Sequence, residues 1–165
     1  MSAHLHEEPA GPEAVCRDFV DAVLWGEHHR VWDMLGEDGR KTVVRVAVSR
    51  GMDEGLAMRL RTRTATPTEM DQFLTDLVQG LRADLDGNDL ERLEYTIDRA
   101  ASTPDRVRVT MSVPVPEPLA HTGALPVGSF ELTPEGGDEP ARGSGSRGSG
   151  SRGWRVERLI PRPGS

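Results

Sequence analysis

Two adjacent histidines, His28 and His29, form the most reactive cluster in the sequence. A neutral imidazole near a pocket acts as a general base when a carboxylate such as Asp33 lies within reach. Neighbouring residues on a helix point about 100° apart, so we expect at most one of the two rings to face the interior. Metal ligation needs ligands on one face, for example at i and i+4, and no third ligand is evident. We therefore predict no metal site, and a solvated or helix-capping pair is the plainer interpretation.

Tyr95 is the second residue suited to chemistry, because a phenol on an apolar strand face needs a partner for its O–H group. That partner is a ligand if the face lines a cavity, and an internal hydrogen bond otherwise. Arg45 lies on a largely apolar segment, where it would bind an anionic ligand or pair with a local acid. Large or adaptable side chains complete the candidate lining of a pocket, although they fit core packing equally well: Trp25, Trp32, Met111 and Trp154.

Composition excludes several classes of partner. The chain of 165 residues carries 27 acids against 20 bases, a net charge of −7, whereas nucleic acids and anionic membranes select basic surfaces. The single cysteine, Cys16, forbids an internal disulfide. The N-terminal residues lack the apolar run of a signal peptide, and no stretch approaches the roughly 18 apolar residues of a membrane span. No glycine-rich phosphate loop follows a strand, so we predict no cofactor and a cytoplasmic protein.

The first half of the chain has the periodicity of amphipathic helices. The clearest start is Thr66-Pro67-Thr68-Glu69, a capping box with proline at the first helical position. Residues 36–39 form a predicted turn. Residues 41–50 fit either a strand or a helix, and we favour a helix because helices flank them and they end at Arg50-Gly51, a suitable C-terminal stop. The predicted helices span 13–25, 27–35, 41–50, 53–63 and 67–85.

Beyond residue 89 the apolar residues alternate with polar ones, which is typical of strands with one buried face. We predict strands at about 93–98, 107–115, 126–133 and 154–160. A Gly/Ser/Arg repeat at about 134–153 predicts a disordered loop before the last strand. Residues 1–11 are predicted to form a flexible tail. The predicted fold is α+β, a single domain over 12–161 with N-terminal helices packed on a curved antiparallel sheet of about four strands.

Two stretches resemble the NTF2-like (cystatin-like cone) superfamily, which includes the SnoaL-type polyketide cyclases. Residues 19–35, FVDAVLWGEHHRVWDML, are similar to a first helix that ends at a small residue and a second with an apolar-Trp-apolar-Leu pattern. Residues 153–159, GWRVERL, are similar to the last strand of that family. The longer helical region at 41–85 resembles helix-rich actinobacterial versions. The resemblance implies a pocket between the helices and the apolar face of the sheet.

Three functions are compatible with these observations. The first is a small-molecule-binding domain for an apolar or amphipathic ligand, which forms a homodimer through the open sheet face. The second is a general acid/base isomerase, cyclase or dehydratase of the SnoaL type, for which His28, Asp33 and Tyr95 are the catalytic candidates. The third is a non-catalytic dimeric interaction module that uses the polar sheet face, where Arg108 and Thr110 are expected.

Overall fold

Helices precede an antiparallel sheet in this protein, and a computed structural model describes residues 11–86, 90–114, 125–134 and 153–161. Five helices and four strands lie within these ranges. The helices are α1 Pro12–Leu24, α2 His28–Met34, α3 Glu37–Ser49, α4 Glu54–Arg61 and α5 Pro67–Leu85. A short 3₁₀ turn, Leu90–Arg92, leads to the strands β1 Glu94–Thr103, β2 Arg106–Val113, β3 Leu125–Pro134 and β4 Trp154–Pro161. The strands lie in the sheet in chain order, each antiparallel to the next, which confirms the predicted α+β class.

The predicted tail at 1–11 and the predicted loop at 134–153 fall almost entirely outside the described residues. The first strand runs further than predicted, to Thr103 instead of about residue 98. The carboxylate of Asp98 accepts the backbone N–H groups of Ala100 and Ala101, at a place where the pairing of β1 with β2 shifts register. No helix in the described ranges is both long and apolar enough to cross a membrane.

Side-chain caps define where two of the helices begin. At α5 the Thr66 hydroxyl accepts the backbone N–H of Glu69, and the Glu69 carboxylate accepts the backbone N–H of Thr66. This confirms the predicted capping box, which satisfies two otherwise free backbone donors. At α4 the Asp53 carboxylate accepts the backbone N–H of Leu56 at 3.0 Å. Both helices therefore begin at signals that are local in the sequence.

The helical interpretation of residues 41–50 is confirmed, but the turn predicted at 36–39 is wrong because residues 37–39 form the first turn of α3. Contacts with β4 explain the earlier start. Glu157 Oε2 accepts the Gly39 N–H at 2.7 Å, its Oε1 accepts the Thr133 hydroxyl at 2.8 Å, and the Gly36 N–H donates to the Val156 carbonyl at 2.9 Å. A Cβ at Gly36 would lie 1.6 Å from Glu157 Oε1, so glycine is required for this close approach.

The main core lies between α1 and the helix-facing side of the sheet, with α2 and α5 at its border. Phe19 and Phe130 meet edge to face with ring centroids 5.6 Å apart, and Met111 and Leu132 are fully buried beside them. These packed side chains occupy the place where the sequence predicted a ligand pocket. A second cluster joins α3, α4 and α5, and consists of Val44, Ala57, Leu60, Phe73 and Leu74.

The outer face of the sheet is polar, as the alternation predicts. Glu131 on β3 accepts from two arginines on β2, with Arg108 Nη2 at 2.8 Å from Oε1 and Arg106 Nη1 at 3.2 Å from Oε2. This carboxylate is buried beneath the two guanidinium groups even though it lies on the open face. Cross-strand charge pairs of this kind stabilise a sheet without an apolar partner.

Candidate functional site

A broad cleft of about 1410 Å³ opens between α2, α3, α4 and the region where β3 and β4 meet α3. Its apolar lining comes mainly from α2, α3, α4 and the start of α5, and includes Trp32, Val44, Leu60, Ala65 and Met70. Val44 and Leu60 belong to the second core cluster, so the cleft borders packed structure there. Ligand sites commonly combine such an apolar surface with a few polar groups.

Trp32 and Arg40 form a fixed pair at this cleft. The Trp32 ring packs perpendicular to the Phe73 ring, with centroids 5.7 Å apart. The Arg40 guanidinium lies 4.9 Å from the centre of the Trp32 ring, and its Nε and Nη2 atoms donate to the Trp32 carbonyl at 3.2 and 3.1 Å. Burial of Arg40 lowers the pKa of its guanidinium, which Asp33 opposes and the nearby Arg155 reinforces. An arginine remains protonated under such a shift, so Arg40 is a cation whose position is fixed by its contacts with Trp32.

Besides Arg40 and Arg155, three guanidinium groups lie around the cleft, on Arg45, Arg61 and Arg63. All three residues are exposed, and their side chains make no hydrogen bond or ion pair within the part of the chain that the structure describes. Arg63 also has a φ of 60°, directly after the end of α4. Glycine is the usual residue in this left-handed position, and another residue there costs about 1 kcal/mol. The Arg63 N–H donates to the Leu60 carbonyl and the Thr64 N–H to the Arg59 carbonyl, so this φ belongs to a Schellman cap at the end of α4.

Acidic side chains also line the cleft, but two of them are engaged. Glu37 pairs with Lys41 at 3.3 Å, one turn further along α3. Glu157 is bound to Gly39 and Thr133, as described above. Arg155 reaches across from β4 to donate to the Asp33 backbone carbonyl, which ties α2 to the sheet. Asp33, Asp38 and Asp105 are further acids of the lining, and Asp38 lies on α3. Within the described ranges, the lining arginines without a side-chain partner lie on α3 and at the end of α4.

The structure brings together only two of the ligand-binding residues predicted from the sequence. Trp32 and Arg45 both line the cleft. Trp25 follows the end of α1 and is 80% exposed, so it lines no pocket with them. Met111 is part of the main core, and Trp154 packs against that core from the start of β4. The structure does not gather these side chains around one pocket, because the apolar side of the sheet is covered by α1.

Tyr95 lies apart from both the cleft and the other catalytic candidates. It is half-buried on the helix-facing side of β1, and the Arg17 guanidinium lies 5.6 Å from the centre of its ring. Burial raises the pKa of Tyr95 well above its ordinary value, with a small opposing effect of Arg17. His28 contacts Gly26 and Asp71, and Asp33 lines the cleft. The three catalytic candidates thus have three different surroundings.

The two histidine rings do not diverge as the sequence predicted. Their centroids are 4.6 Å apart, and both rings reach the carboxylate of Asp71 on α5. Sequence reasoning missed Asp71 because it lies 42 residues beyond His29 on the polar side of another helix. It also missed Arg40, Arg61 and Arg63, which no local motif distinguishes from ordinary surface arginines.

Comparison of the chain with protein-family models, with curated proteins and with solved structures finds no match. The geometry and chemistry of the cleft are therefore the basis for a functional proposal.

Proposed function

We propose that the protein is a small-molecule-binding domain whose ligand is an amphipathic anion held in the cleft. One observation carries this proposal. Three guanidinium groups that have no side-chain partner among the described residues lie beside an apolar surface. An apolar body would lie against the half-buried Trp32, Ala65 and Met70, and an anionic group would pair with Arg45 or Arg61. Guanidinium groups suit this role because their planar donors match carboxylate, sulfonate and phosphate oxygens.

Arg40 supports the proposal from within the cleft. Two of its nitrogens are bound to the Trp32 carbonyl, which leaves Nη1 without a hydrogen-bond acceptor in the described part of the chain. Its position over the Trp32 ring keeps the guanidinium plane in place before any ligand arrives. A donor that is already ordered loses little entropy on binding, which favours affinity.

Membership of the NTF2-like superfamily is part of the same proposal. Its support is the order of elements, with helices followed by a four-stranded antiparallel sheet. The proposed ligand lies at the helical side of β4 and not beneath the sheet, where Phe19 and Phe130 are packed. The acid/base enzyme and the homodimer stay predictions.

Binding of 1-anilinonaphthalene-8-sulfonate, an apolar aromatic body with one sulfonate, tests the proposal. We expect saturable fluorescence enhancement with the wild-type protein. The R45Q/R61Q variant should bind at least about tenfold more weakly, since a hydrogen bond to a charged group contributes about 1.5–3 kcal/mol. The matched control is R99Q, which removes an exposed arginine on β1 that, like Arg45, has no side-chain partner among the described residues and lies outside the cleft lining.

A neutral probe with the same apolar body, N-phenyl-1-naphthylamine, separates charge recognition from apolar adhesion. We expect the sulfonate probe to bind more tightly than the neutral one, and this preference to decrease at high salt. Urea unfolding midpoints show whether a substitution has destabilised the fold, because a loosened fold would bind either probe non-specifically. Equal affinity of the wild-type, R45Q/R61Q and R99Q proteins for the sulfonate probe would show that the cleft does not select an anion.

A further inference from the structure

Two packed helices bring two imidazoles and one carboxylate together on the surface. His28 and His29 are the first two residues of α2, and Asp71 lies in the second turn of α5. One ligand atom from each residue lies within 4.8 Å of the other two. The Asp71 Oδ1 atom is 2.8 Å from His29 Nε2 and 3.8 Å from His28 Nε2. The two helices are in direct contact, so the packing of the fold maintains this arrangement.

The backbone determines the tautomer of His28. Its Nδ1 atom lies 3.2 Å from the Gly26 carbonyl oxygen, which can only accept a hydrogen bond. Nδ1 therefore carries the proton, and the Nε2 atom of the neutral ring presents a lone pair toward the Asp71 carboxylate. Two acceptors that face each other can be bridged by a proton, by a water molecule or by a metal ion. In metal sites, the ring nitrogen of histidine that does not bind the metal usually donates its N–H to a carbonyl or carboxylate, as His28 Nδ1 does to Gly26.

The distances suit a small tetrahedral ion. Metal–ligand bonds of about 2.0–2.1 Å place tetrahedral ligand atoms about 3.3 Å apart. The observed separations of 2.8 and 3.8 Å lie on either side of that value. All three side chains have at least a third of their surface exposed, so small side-chain rotations would equalise the distances without any movement of the helices.

We propose that His28 Nε2, His29 Nε2 and the Asp71 carboxylate bind one divalent transition-metal ion, for which Zn²⁺ is the reference case. Two imidazoles with one carboxylate favour zinc, cobalt, nickel or copper over magnesium and calcium, which prefer oxygen ligands. Three protein ligands leave the fourth position open to water or to an external ligand. The ion would also link α2 to α5. This site uses none of the residues of the proposed anion cleft and stands independently of it.

The test is metal titration of the metal-stripped full chain. His4 and His6 near the N-terminus are a second source of imidazoles, so every variant is made in the H4Q/H6Q background. We expect the H4Q/H6Q protein to bind one equivalent of Zn²⁺ by calorimetry, and Co²⁺ to give the intense visible absorption of a tetrahedral site. Addition of D71N should weaken Zn²⁺ binding by at least about tenfold, and addition of H28Q/H29Q should abolish the cobalt spectrum.

D71N preserves the hydrogen bond to His29, so it separates metal ligation from the helix contact. Circular dichroism confirms that each variant is folded. Zn²⁺ should raise the Tm of the H4Q/H6Q protein more than that of the D71N variant at the same Zn²⁺ concentration. If the H4Q/H6Q protein fails to bind Zn²⁺, or if D71N and H28Q/H29Q bind it as tightly as their parent, the three residues form only an ion pair. Failure of the sulfonate probe to bind has no bearing on this result.

Discussion

Replacement of glycine by alanine should have opposite effects at Gly39 and Gly80, although both residues lie in helices. At Gly39, in the first turn of α3, a Cβ would lie 2.7 Å from the Val156 carbonyl oxygen and 3.2 Å from the Glu157 Cα. These neighbours are backbone atoms of β4 and cannot rotate away. At Gly80, inside α5, the nearest heavy atom to a Cβ would be Arg50 Nη1 at 3.8 Å, an ordinary contact.

The structure sets the magnitude of the difference. Alanine is more favourable than glycine inside a helix by about 1 kcal/mol, and this gain applies to both substitutions. Overpacking against atoms that cannot relax costs about 1–3 kcal/mol, and it applies only at Gly39. We therefore expect G80A to be about 1 kcal/mol more stable than the wild type, and G39A to be up to about 2 kcal/mol less stable. The difference in unfolding free energy between the two variants therefore equals the packing penalty at Gly39.

Urea unfolding monitored by circular dichroism measures this gap. Equal m-values in the three proteins would license a comparison of midpoints, because the same surface is then exposed on unfolding. G80A is the matched control, since it makes the same chemical change in a helix that β4 does not contact closely. A G39A protein as stable as G80A would refute the reasoning, for then β4 does not lie against the first turn of α3.

Two further predictions concern carboxylates at helix starts. E157Q should lower the free energy of unfolding by about 1–2 kcal/mol in the same assay, because a neutral amide gives Gly39 a weaker acceptor and removes a negative charge from the positive end of α3. The pKa of Glu69 lies below its ordinary value of 4.5, held down first by the hydrogen bond from Arg59 and then by the Thr66 N–H. A lowered folded-state pKa stabilises the protein above the unfolded value, and this contribution is lost as the pH falls through the folded value. The Tm advantage of the wild type over E69Q should therefore be constant near neutral pH and shrink below about pH 4.5, and a gap that does not change with pH would contradict it.

The elements that could be predicted from sequence are those whose signals are local. The start of α5 follows from the reciprocal bonds between Thr66 and Glu69, which are three residues apart. The start of α3 could not be predicted, because the acceptor that satisfies its Gly39 N–H comes from Glu157, 118 residues further along. Without that carboxylate, residues 36–39 have the composition of a turn. The two closely spaced glycines therefore predict a turn, whereas in the structure they let β4 approach α3.

The location of the cleft was beyond sequence reasoning for a different reason. Alternation along β2 shows which side chains face the helices, but it does not show whether the space they face is filled. Phe19 on α1 and Phe130 on β3 fill it, and only the packed structure reveals their contact. Trp32 and Arg45 were found individually because a large aromatic ring and a cation on an apolar helix are unusual in themselves. Their meeting with Arg61 and Arg63 depends on how α4 packs beside α3.

The histidine pair shows how a rule that is correct within one helix misses a partner that another helix supplies. Adjacent residues on a helix do point in different directions, and from α2 alone no common ligand for both rings is expected. The rule fails here because Asp71 on α5 lies between the two directions and meets both rings from outside. Sites formed between two packed helices need no characteristic spacing in either one, since each helix supplies only part of the ligand set. A search limited to spacing within one element therefore overlooks them, and the D71N titration decides whether this cluster is one of those sites.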